Sequence, residues 1–245
     1  MISAKSLKEI YYKAQFKPGI IGLFINPFYF ARKGLYQHIK ALSPSIKGKT
    51  LDVGCGQKPY QGLYPNSDYI GLEIGSFETN CNRAADYFYD GVHFPFAEQE
   101  FDSVITNQVF EHVFNPDQFL SEIYRILKPE GFLLLTVPFV WDEHEQPVDY
   151  ARYSSFGLKH ILEANGFKVL EQRKSMADVR TLFQLANGYL YKKTVTKSNV
   201  LNSLITLVLM SPLNLLGELL AIILPKNEDL YLDNIVLARK TGNLS

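Results

Sequence analysis

Apolar residues along this chain fall into short continuous runs that alternate with segments of helical spacing. The short runs are apolar at successive positions, which is typical of strands buried on both faces of a parallel sheet. We predict strands at 50–53, 69–73, 87–89, 101–106, 132–137, near 167–172 and at 231–239.

Helical spacing, with apolar residues three or four positions apart, predicts helices over 28–42, 115–127 and 154–165. The second is the best marked, because Asn115 can cap its amino end and Pro116 fits its first turn. Residues 128–131 (Lys-Pro-Glu-Gly) are predicted to end this helix before the next strand. The crossover after the first strand is too short for more than a turn or two of helix.

Strands that alternate with helices predict an α/β fold, a mostly parallel sheet with helices on both faces. Ligands of such sheets bind beyond the carboxyl ends of the strands. We expect a helical extension at 1–47, a sheet-containing core at 48–175, an apolar helical insertion at 176–229, and the last strand with the tail at 230–245.

The insertion contains a run of about 21 residues, 204–224, whose only charge is Glu218, and this is long enough to cross a membrane. A single crossing would put the strands on either side of it on opposite faces of the bilayer. Residues 211–214, which include Pro212, also divide the run into two pieces of about ten residues, too short to span. A helical pair on the protein, on a membrane surface or in a dimer interface remains open.

Charge and cysteine content narrow the class of protein. Lys plus Arg equals Asp plus Glu at 25 each, so there is no net positive field to attract nucleic acid. Two cysteines, Cys55 and Cys81, are too few for a disulfide framework and favour a reducing compartment. The apolar segment 19–30 contains Pro27 and lacks a small-residue cleavage site, which argues against a signal peptide. We expect a cytoplasmic protein.

Two glycines, Gly54 and Gly56, follow the first strand, where missing side chains let a backbone approach a ligand closely. Pro59 stands where a dinucleotide-binding loop would have its third glycine, and no Gly-Lys-Ser/Thr follows to hold a triphosphate. A plain tight turn is the alternative. Glu73, at the tip of the second strand, can accept hydrogen bonds from both hydroxyls of a ribose. Asp90 follows the third strand and suits either an adenine amino group or a turn.

Six motifs in order and spacing resemble class I S-adenosylmethionine-dependent methyltransferases: LDVGCG at 51–56, GLE at 71–73, DGVHFPF at 90–96, FDSVITN at 101–107, VFEHV at 109–113 and ILKPEG at 126–131. The resemblance covers about residues 48–173 and the last strand. It is closest to the type 11-like branch found in glycan gene clusters, because HEQPVDYARY at 144–153 follows the fifth strand.

This resemblance implies a Rossmann-like sheet of seven strands and S-adenosyl-L-methionine as the cofactor, with S-adenosyl-L-homocysteine as the product. It also implies cofactor contacts. The backbone at Gly54 and Gly56 would hold the methionine part, with Asp52 nearby, and Glu73 would hold the ribose. The remaining implied contacts are Asp90 with Gly91 at the adenine, and Asn107 with Gln108 above the sulfonium.

His112 is the titratable residue best placed to remove a proton from a hydroxyl acceptor, and Glu111 could orient it. The alternative is that both merely shape the loop after the fourth strand. His144, Asp149, Arg152 and Tyr153 are predicted to bind the acceptor, because carboxylates and aromatic rings suit a sugar. An internal network, with Arg152 paired to Asp149, is the alternative. No metal is expected, since no second histidine lies at ligand spacing from His144.

We therefore expect O-methylation of a sugar or glycan precursor, free or lipid-linked, in polysaccharide biosynthesis. Methylation of a small lipid or quinone-like acceptor is the main alternative. A membrane-associated scaffold that binds the cofactor without catalysis is the other. Residues 200–224 would make a peripheral contact with the inner membrane face, or form a homodimer.

Overall fold

The computed structural model describes residues 12, 14–75 and 84–242; Cys81 and part of the expected helical extension lie outside these residues. The described chain forms two compact units. The first contains the described residues up to Gln37, Val140–Asp142 and Lys174–Asp233. The second contains His38–Phe139, Glu143–Arg173 and the described residues from Asn234 onward.

The elements follow one another in the alternating order that the hydrophobic pattern predicts. The strands are β1 Gly48–Val53, β2 Ser67–Ile74, β3 Tyr87–Tyr89, β4 Phe101–Asn107, β5 Leu127–Pro138, β6 Phe167–Lys174 and β7 Asp233–Lys240. The longer helices are α1 Ile20–Ile25, α2 Tyr29–Leu42, α3 Pro116–Ile126, α4 Ser155–Ala164, α5 Arg180–Thr194 and α6 Asn199–Ile223.

The seven strands form one sheet in the order β3-β2-β1-β4-β5-β7-β6. The pairs β1–β2, β2–β3, β1–β4 and β4–β5 are parallel. This confirms the predicted Rossmann-like α/β fold. The strand order reverses between β1 and β4, and in such sheets ligands bind in the crevice at the carboxyl ends on either side of that point.

The core of the second unit explains why its strands read as continuous apolar runs. Leu51 and Val53 of β1, Val104 of β4 and Leu133 and Leu135 of β5 are all fully buried. After β1, a single short 3-10 turn at Gln61–Leu63 replaces the usual helix, as the short crossover predicted.

Helix α3 begins as its sequence predicted, because the Asn115 side chain accepts a hydrogen bond from the Gln118 N–H. Its end differs from the prediction. Residues 128–131 are part of β5, which starts at Leu127, instead of forming a break. Glu130 adopts a positive φ of 63°, and the pairing of β4 with β5 shifts register between Phe101 and Ser103. An irregularity in the strand therefore accommodates the turn-forming residues.

The sequence-based division of the apolar insertion into two short helices is wrong. Among the described residues, one helix is long and apolar enough by length and composition to cross a membrane, and it is α6, with 25 residues. Its turn at Thr206–Met210 is π-helical and ends two residues before Pro212. A wider turn accommodates proline, which lacks an N–H and clashes with the carbonyl one turn earlier in a regular α-helix. The helix therefore continues past Pro212.

The order of strands in the sheet opposes a single crossing of a membrane by α6. Strands β6 and β7, which precede and follow this segment in the chain, are neighbours in the sheet. Both strands must lie on the same side of any bilayer, so α6 does not connect two opposite faces.

Within the first unit, α6 has its polarity inverted relative to a helix of a water-soluble protein. Its buried residues are mostly small or polar, namely Thr206, Met210, Ser211, Asn214 and Gly217. Its exposed residues are mostly large and apolar, namely Val200, Leu201, Leu204, Leu207, Val208, Leu209, Leu215, Leu216, Leu219, Ile222 and Ile223. The apolar side of this helix therefore faces outward.

Hydrogen bonds hold the polar side of α6 in place. Asn214 Nδ2 donates to the Leu23 carbonyl at 3.0 Å, and Asn214 Oδ1 accepts from Asn187 Nδ2 of α5 at 2.8 Å. Gln184 of α5 accepts from the Phe30 N–H at 3.0 Å and donates to the Pro27 carbonyl at 3.0 Å. Buried side-chain amides therefore hold α5, α6 and the segment around α1 together within the first unit.

Asn214→Ala is expected to lower the free energy of unfolding by about 1–3 kcal/mol, because it leaves buried polar partners unsatisfied. Leu219→Gln is the matched control on the exposed side of the same helix, and we expect it to change stability by less than about 0.5 kcal/mol. Urea unfolding followed by circular dichroism measures both. A larger loss for Leu219→Gln than for Asn214→Ala would contradict the inverted polarity.

Candidate active site

A cavity of about 600 Å³ opens in the second unit, at the carboxyl ends of β1 to β4. Several of its wall residues directly end or follow those strands: Gly54, Glu73, Ile74, Tyr89, Gly91 and Gln108. Residues after β4 and β5 complete the lining: Val109, His112, Val113, Phe114, Asn115, Gln118, Phe119, Glu145, Val148 and Tyr150. The cavity lies where the sequence predicted a ligand.

The turn after β1 requires glycine at its first position. Gly54 has a φ of +72°, and a Cβ there would lie 2.3 Å from a methyl carbon of Val109. The Gly54 N–H donates to the Leu72 carbonyl of β2 at 2.9 Å. A side chain would be both strained and sterically blocked, so the wall of the cavity at this point is backbone.

Glu73 presents a largely buried carboxylate to the cavity. Its Oε2 accepts from the Gly56 N–H at 3.0 Å, and its Oε1 is 3.3 Å from the Ile74 nitrogen that donates to it. These bonds fix the side chain. A carboxylate oriented in this way suits a pair of hydroxyls. Gly56 contributes by holding Glu73 instead of lining the cavity.

Asp52 lies away from the cavity wall. It is buried, and the Tyr69 hydroxyl donates a hydrogen bond to its Oδ2. Burial raises the pKa of this carboxyl from 3.8 to about 7, although the Tyr69 hydrogen bond opposes the shift. Asp52 therefore links the end of β1 to β2 through its buried hydrogen bond with Tyr69.

The other predicted cofactor residues divide into two groups. Gly91 and Gln108 line the cavity. Asp90 uses its Oδ1 to accept the N–H groups of Val92 and His93, both at 2.8 Å, which is the turn role that the sequence left open. Asn107 contacts Thr136 at 3.5 Å inside the sheet.

His112 borders the cavity, and Glu111 lies fully buried behind it. The His112 Nδ1 is 2.7 Å from the Val148 carbonyl, so the tautomer with a proton on Nδ1 donates to it. Its Nε2 lies 3.9 Å from Glu111 Oε1 and 3.9 Å from Glu145 Oε2. Of the two predicted catalytic residues, His112 therefore lines the cavity, and Glu111 lies beside it outside the lining.

The fold brings His144 next to His112, although the two are far apart in sequence. Their ring centroids are 4.8 Å apart, and His144 Nε2 is 3.8 Å from the same Glu111 Oε1. The coordinating atoms of Glu111, His112 and His144 all lie within 4.8 Å of one another. No metal was expected because no second histidine lies at ligand spacing from His144 in the sequence, but the fold supplies His112 as that second histidine.

The predicted acceptor-binding residues form an internal network. The Arg152 guanidinium donates two hydrogen bonds to the Asp149 carboxylate, at 2.5 and 2.6 Å. The same carboxylate accepts a hydrogen bond from the backbone N–H of His144 at 2.9 Å. The hydrogen bonds from Arg152 hold the pKa of Asp149 well below its usual range. Tyr153 stacks on Phe110 with ring centroids 5.0 Å apart.

None of these four residues, His144 included, is among the cavity-lining residues in the described part of the chain. Their neighbours Glu145, Val148 and Tyr150 line it instead. Phe114 and Tyr150, both exposed, meet edge to face at 5.2 Å and complete that wall. The sequence-based choice fell on neighbours of these residues, although Glu145 itself carries a carboxylate. Their place in the segments that connect β4 and β5 to the next helices was the available signal.

Comparison with known proteins finds methyltransferase sequences. The family model described as a methyltransferase domain matches residues 51–135. An uncharacterised protein of Methanocaldococcus jannaschii is 30% identical over 205 residues, 78% of this chain and 87% of that protein. The tRNA (carboxymethyluridine(34)-5-O)-methyltransferase of Arabidopsis thaliana is 31% identical over 120 residues, 46% of this chain. This match spans only 29% of the plant enzyme.

A fatty-acid O-methyltransferase of Mycolicibacterium smegmatis is 32% identical over 112 residues, 40% of each chain. Among solved structures, a SAM-dependent methyltransferase of Archaeoglobus fulgidus matches with a TM-score of 0.54 and 18% identity, covering 91% of this chain and all of that one. Phosphoethanolamine N-methyltransferase 2 of Haemonchus contortus, with bound S-adenosyl-L-methionine, matches with a TM-score of 0.53 and 18% identity. This match covers 94% of this chain and 59% of that one. At such identities these structures establish the fold alone.

The raised pKa of Asp52 predicts a pH-dependent loss of stability. Below about pH 4 both the folded and unfolded states hold this proton. As the pH rises from about 4 through 7, the unfolded state loses it first, so wild-type stability falls by up to about 4 kcal/mol. Asp52→Asn, which does not titrate and can still accept from Tyr69, should therefore gain stability relative to wild type between pH 4.5 and pH 8.

Urea unfolding of wild type and Asp52→Asn at pH 4.5 and pH 8 measures the difference between their free energies of unfolding. The titration of all other groups cancels in this difference. Asp68→Asn, an exposed carboxylate at the start of β2, is the control and should follow wild type at both values. An equal offset between Asp52→Asn and wild type at pH 4.5 and pH 8 would show that Asp52 does not titrate in this range.

Proposed function

Because this chain belongs to the class I S-adenosylmethionine-dependent methyltransferases, we propose that it methylates a hydroxyl group of a lipid-linked sugar or glycan precursor at a membrane surface. S-adenosyl-L-methionine is the cofactor. The observation that carries the membrane part of the proposal is the outward-facing apolar side of α6.

The residues of the cavity suit a nucleoside that has no phosphate. Glu73 would hold the ribose hydroxyls, and the bare backbone at Gly54 would lie against the methionine part. Ile74, Tyr89 and Val92 supply the apolar surface that a purine ring needs. A carboxylate at this position also disfavours any ligand with a phosphate on the ribose, because like charges repel.

When bound, the cofactor supplies both the methyl group and its own leaving group. The acceptor oxygen forms the new bond to the methyl carbon, the carbon–sulfur bond breaks with its electron pair going to sulfur, and the acceptor hydroxyl loses its proton. What the protein must do is align the acceptor oxygen and allow that proton to leave. His112, whose Nδ1 is held by Val148, is the predicted proton acceptor.

A sugar acceptor is supported by the residues after β4 and β5 that line the cavity. Phe114 and Tyr150 offer ring faces, and Asn115, Gln118 and Glu145 offer hydrogen-bonding groups. Carbohydrates are bound by this combination of stacking and polar contacts. Chain neutrality argues against a tRNA acceptor like that of the Arabidopsis relative, because nucleic-acid binding depends on cationic contacts with phosphate.

An interfacial position in the membrane is supported by the composition of α6 and its flanks. A helix with an apolar face lies in the headgroup region, and basic side chains strengthen its attraction to anionic lipid. Lys193 and Lys197 precede α6, Lys226 follows it, and all three are exposed. Exposed Ile20 and Ile21 add apolar surface on α1, which Asn214 ties to α6 through the Leu23 carbonyl. Lysines at both ends complement an anionic bilayer.

A free fatty-acid or quinone-like acceptor is the second candidate. The identity to a fatty-acid O-methyltransferase favours it, and the same membrane position would serve it. A scaffold that binds the cofactor without catalysis is the third candidate. Gly54 and Glu73 would hold the cofactor in it equally well, so transfer of the methyl group is what separates it from an enzyme.

Transfer of a labelled methyl group tests the acceptor. After incubation with methyl-labelled S-adenosylmethionine and a membrane extract, we expect label in organic-phase saccharides that mild acid releases from their lipid. Glu73→Ala should weaken binding of S-adenosylhomocysteine by about 10- to 100-fold in calorimetry, the value of one or two hydrogen bonds to a charged group, and should lose the label. Glu163→Ala, an exposed acid on α4, is the control.

The distribution of the label separates the candidates. Label in acid-stable lipid would support the fatty-acid or quinone-like acceptor instead, and label in RNA would overturn the membrane acceptor altogether. Failure of the wild-type protein to bind S-adenosylhomocysteine would overturn the enzymatic function itself.

Vesicle flotation tests the membrane surface. We expect the wild-type protein to float with vesicles containing phosphatidylglycerol, and less with phosphatidylcholine alone. Leu219→Gln with Ile222→Gln should stay in solution, because the pair removes apolar area from the exposed side of α6. Phe156→Gln with Leu170→Gln, which removes two exposed apolar residues from the second unit, is the matched control and should float.

If wild type stays in solution and light scattering shows a dimer that Leu219→Gln with Ile222→Gln dissociates, α6 forms an interface between two copies of the chain and the membrane proposal is wrong. Equal flotation of both double variants would also contradict it.

A further inference from the structure

Two imidazoles and one carboxylate converge at the edge of the cavity. His112 Nε2 and His144 Nε2 lie 3.9 and 3.8 Å from one oxygen, Oε1 of Glu111. These distances exceed those of hydrogen bonds. They resemble the separations of atoms that share a metal ion, since ligands 2.0–2.2 Å from a tetrahedral zinc ion lie roughly 3.4 Å apart. The two distances to Glu111 would have to shorten by about half an ångström to complete such a shell, and the two imidazole nitrogens, which lie within 4.8 Å of each other, by no more than about 1.4 Å.

The other nitrogen of each imidazole has a partner that sets its orientation. His112 Nδ1 faces the Val148 carbonyl at 2.7 Å, and His144 Nδ1 faces Asp149 Oδ2 at 3.2 Å. Metal-binding histidines characteristically donate their second N–H to a carbonyl or a carboxylate, which leaves the lone pair of the first nitrogen available to the ion. Both histidines therefore present Nε2 to the same point.

The surrounding charges are compatible with this arrangement. Arg152 Nη2 lies 3.4 Å from His144 Nδ1, but its positive charge is balanced by the two-pronged contact with Asp149. Glu111 is fully buried, and a buried carboxylate is stabilised by a cation in contact with it. Nitrogen and oxygen donors in this ratio favour zinc and related transition metals over magnesium, which selects oxygen ligands.

We infer that Glu111, His112 and His144 bind a divalent transition-metal ion of the zinc class. Three protein ligands leave a coordination position open, as in catalytic zinc sites. His112 and Glu145, whose carboxylate is 3.9 Å from His112 Nε2, both line the cavity, so the open position faces the space where the acceptor would lie.

The role of the ion rests on the proposed function. A divalent ion that binds the acceptor hydroxyl lowers the pKa of that hydroxyl, so the proton can leave to water before the oxygen attacks the methyl carbon. In this arrangement His112 is a metal ligand, and it does not serve as the proton acceptor. Asp149 and Arg152 are then positioning residues that orient His144.

Zinc titration of protein stripped with a chelator and desalted tests the site. Calorimetry and competition with a chromophoric chelator should show one zinc ion per chain, and Mg²⁺ should bind far more weakly. His144→Ala and Glu111→Gln should each weaken zinc binding by at least about 100-fold, and Asp149→Asn by about 10- to 100-fold, as loss of a partner of a metal ligand does. His160→Ala, an exposed histidine on α4, should bind zinc as wild type does.

Co²⁺ substitution provides a second readout, because Co²⁺ bound by two imidazoles and a carboxylate gives visible absorption bands that His144→Ala should abolish. Binding of S-adenosylhomocysteine, measured on every variant, reports whether the fold and the cofactor site are intact. Zinc binding that is unchanged in both His144→Ala and Glu111→Gln would show adventitious sites elsewhere and overturn the inference, as would no binding by wild type. Loss of S-adenosylhomocysteine binding by wild type would overturn the proposed function and leave the zinc result to stand by itself.

Discussion

The close approach of Gly54 to Val109 is the constraint on which the cavity depends. Strands β1 and β4 are neighbours, and the residues that follow them pass so near each other that a Cβ at position 54 would lie 2.3 Å from a methyl carbon of Val109. The left-handed φ of Gly54 directs the chain toward β2, where Gly56 meets the carboxylate of Glu73. One backbone turn thus creates a wall without side chains and orients the acid beside it. Any larger residue at position 54 would collide with Val109.

The two units of the chain are stabilised by opposite distributions of polarity. The second has an apolar core of the ordinary kind, with Leu51, Val104 and Leu133 fully buried. The first buries amides, including Gln184 and Asn214, and exposes the large apolar residues of α6. Each such residue left in water forgoes about 1.5–3 kcal/mol of hydrophobic stabilisation, whereas buried amides are tolerated because they are hydrogen-bonded to one another and to the backbone. The lipid contact proposed for α6 would remove this apolar surface from water.

Strand positions could be predicted from the sequence because each buried strand is a continuous apolar run, and α3 because Asn115 carries its capping signal in its own side chain. The position of Glu73 at the cavity could be predicted as well, because the carboxyl end of a parallel strand is where ligands of such sheets bind. Predictions failed where the local structure is determined by backbone geometry or by residues that are distant in the sequence. Pro212 interrupts a regular helix but not one with a π-helical turn before it. The meeting of His112 with His144 depends on how β4 and β5 pair, which spacing along the chain does not reveal.

The segment after β5 shows how composition can suggest the right site with the wrong role. His144, Asp149, Arg152 and Tyr153 were expected to hold an acceptor because they are polar or aromatic and follow a strand. In the fold, Asp149 and Arg152 neutralise each other, Tyr153 stacks inward on Phe110, and the carboxylate that binds Arg152 also faces the imidazole of His144. Their chemistry is therefore directed at orienting one another, and through His144 at Glu111 and His112. The less conspicuous residues between them, Glu145, Val148 and Tyr150, are the ones left facing the cavity.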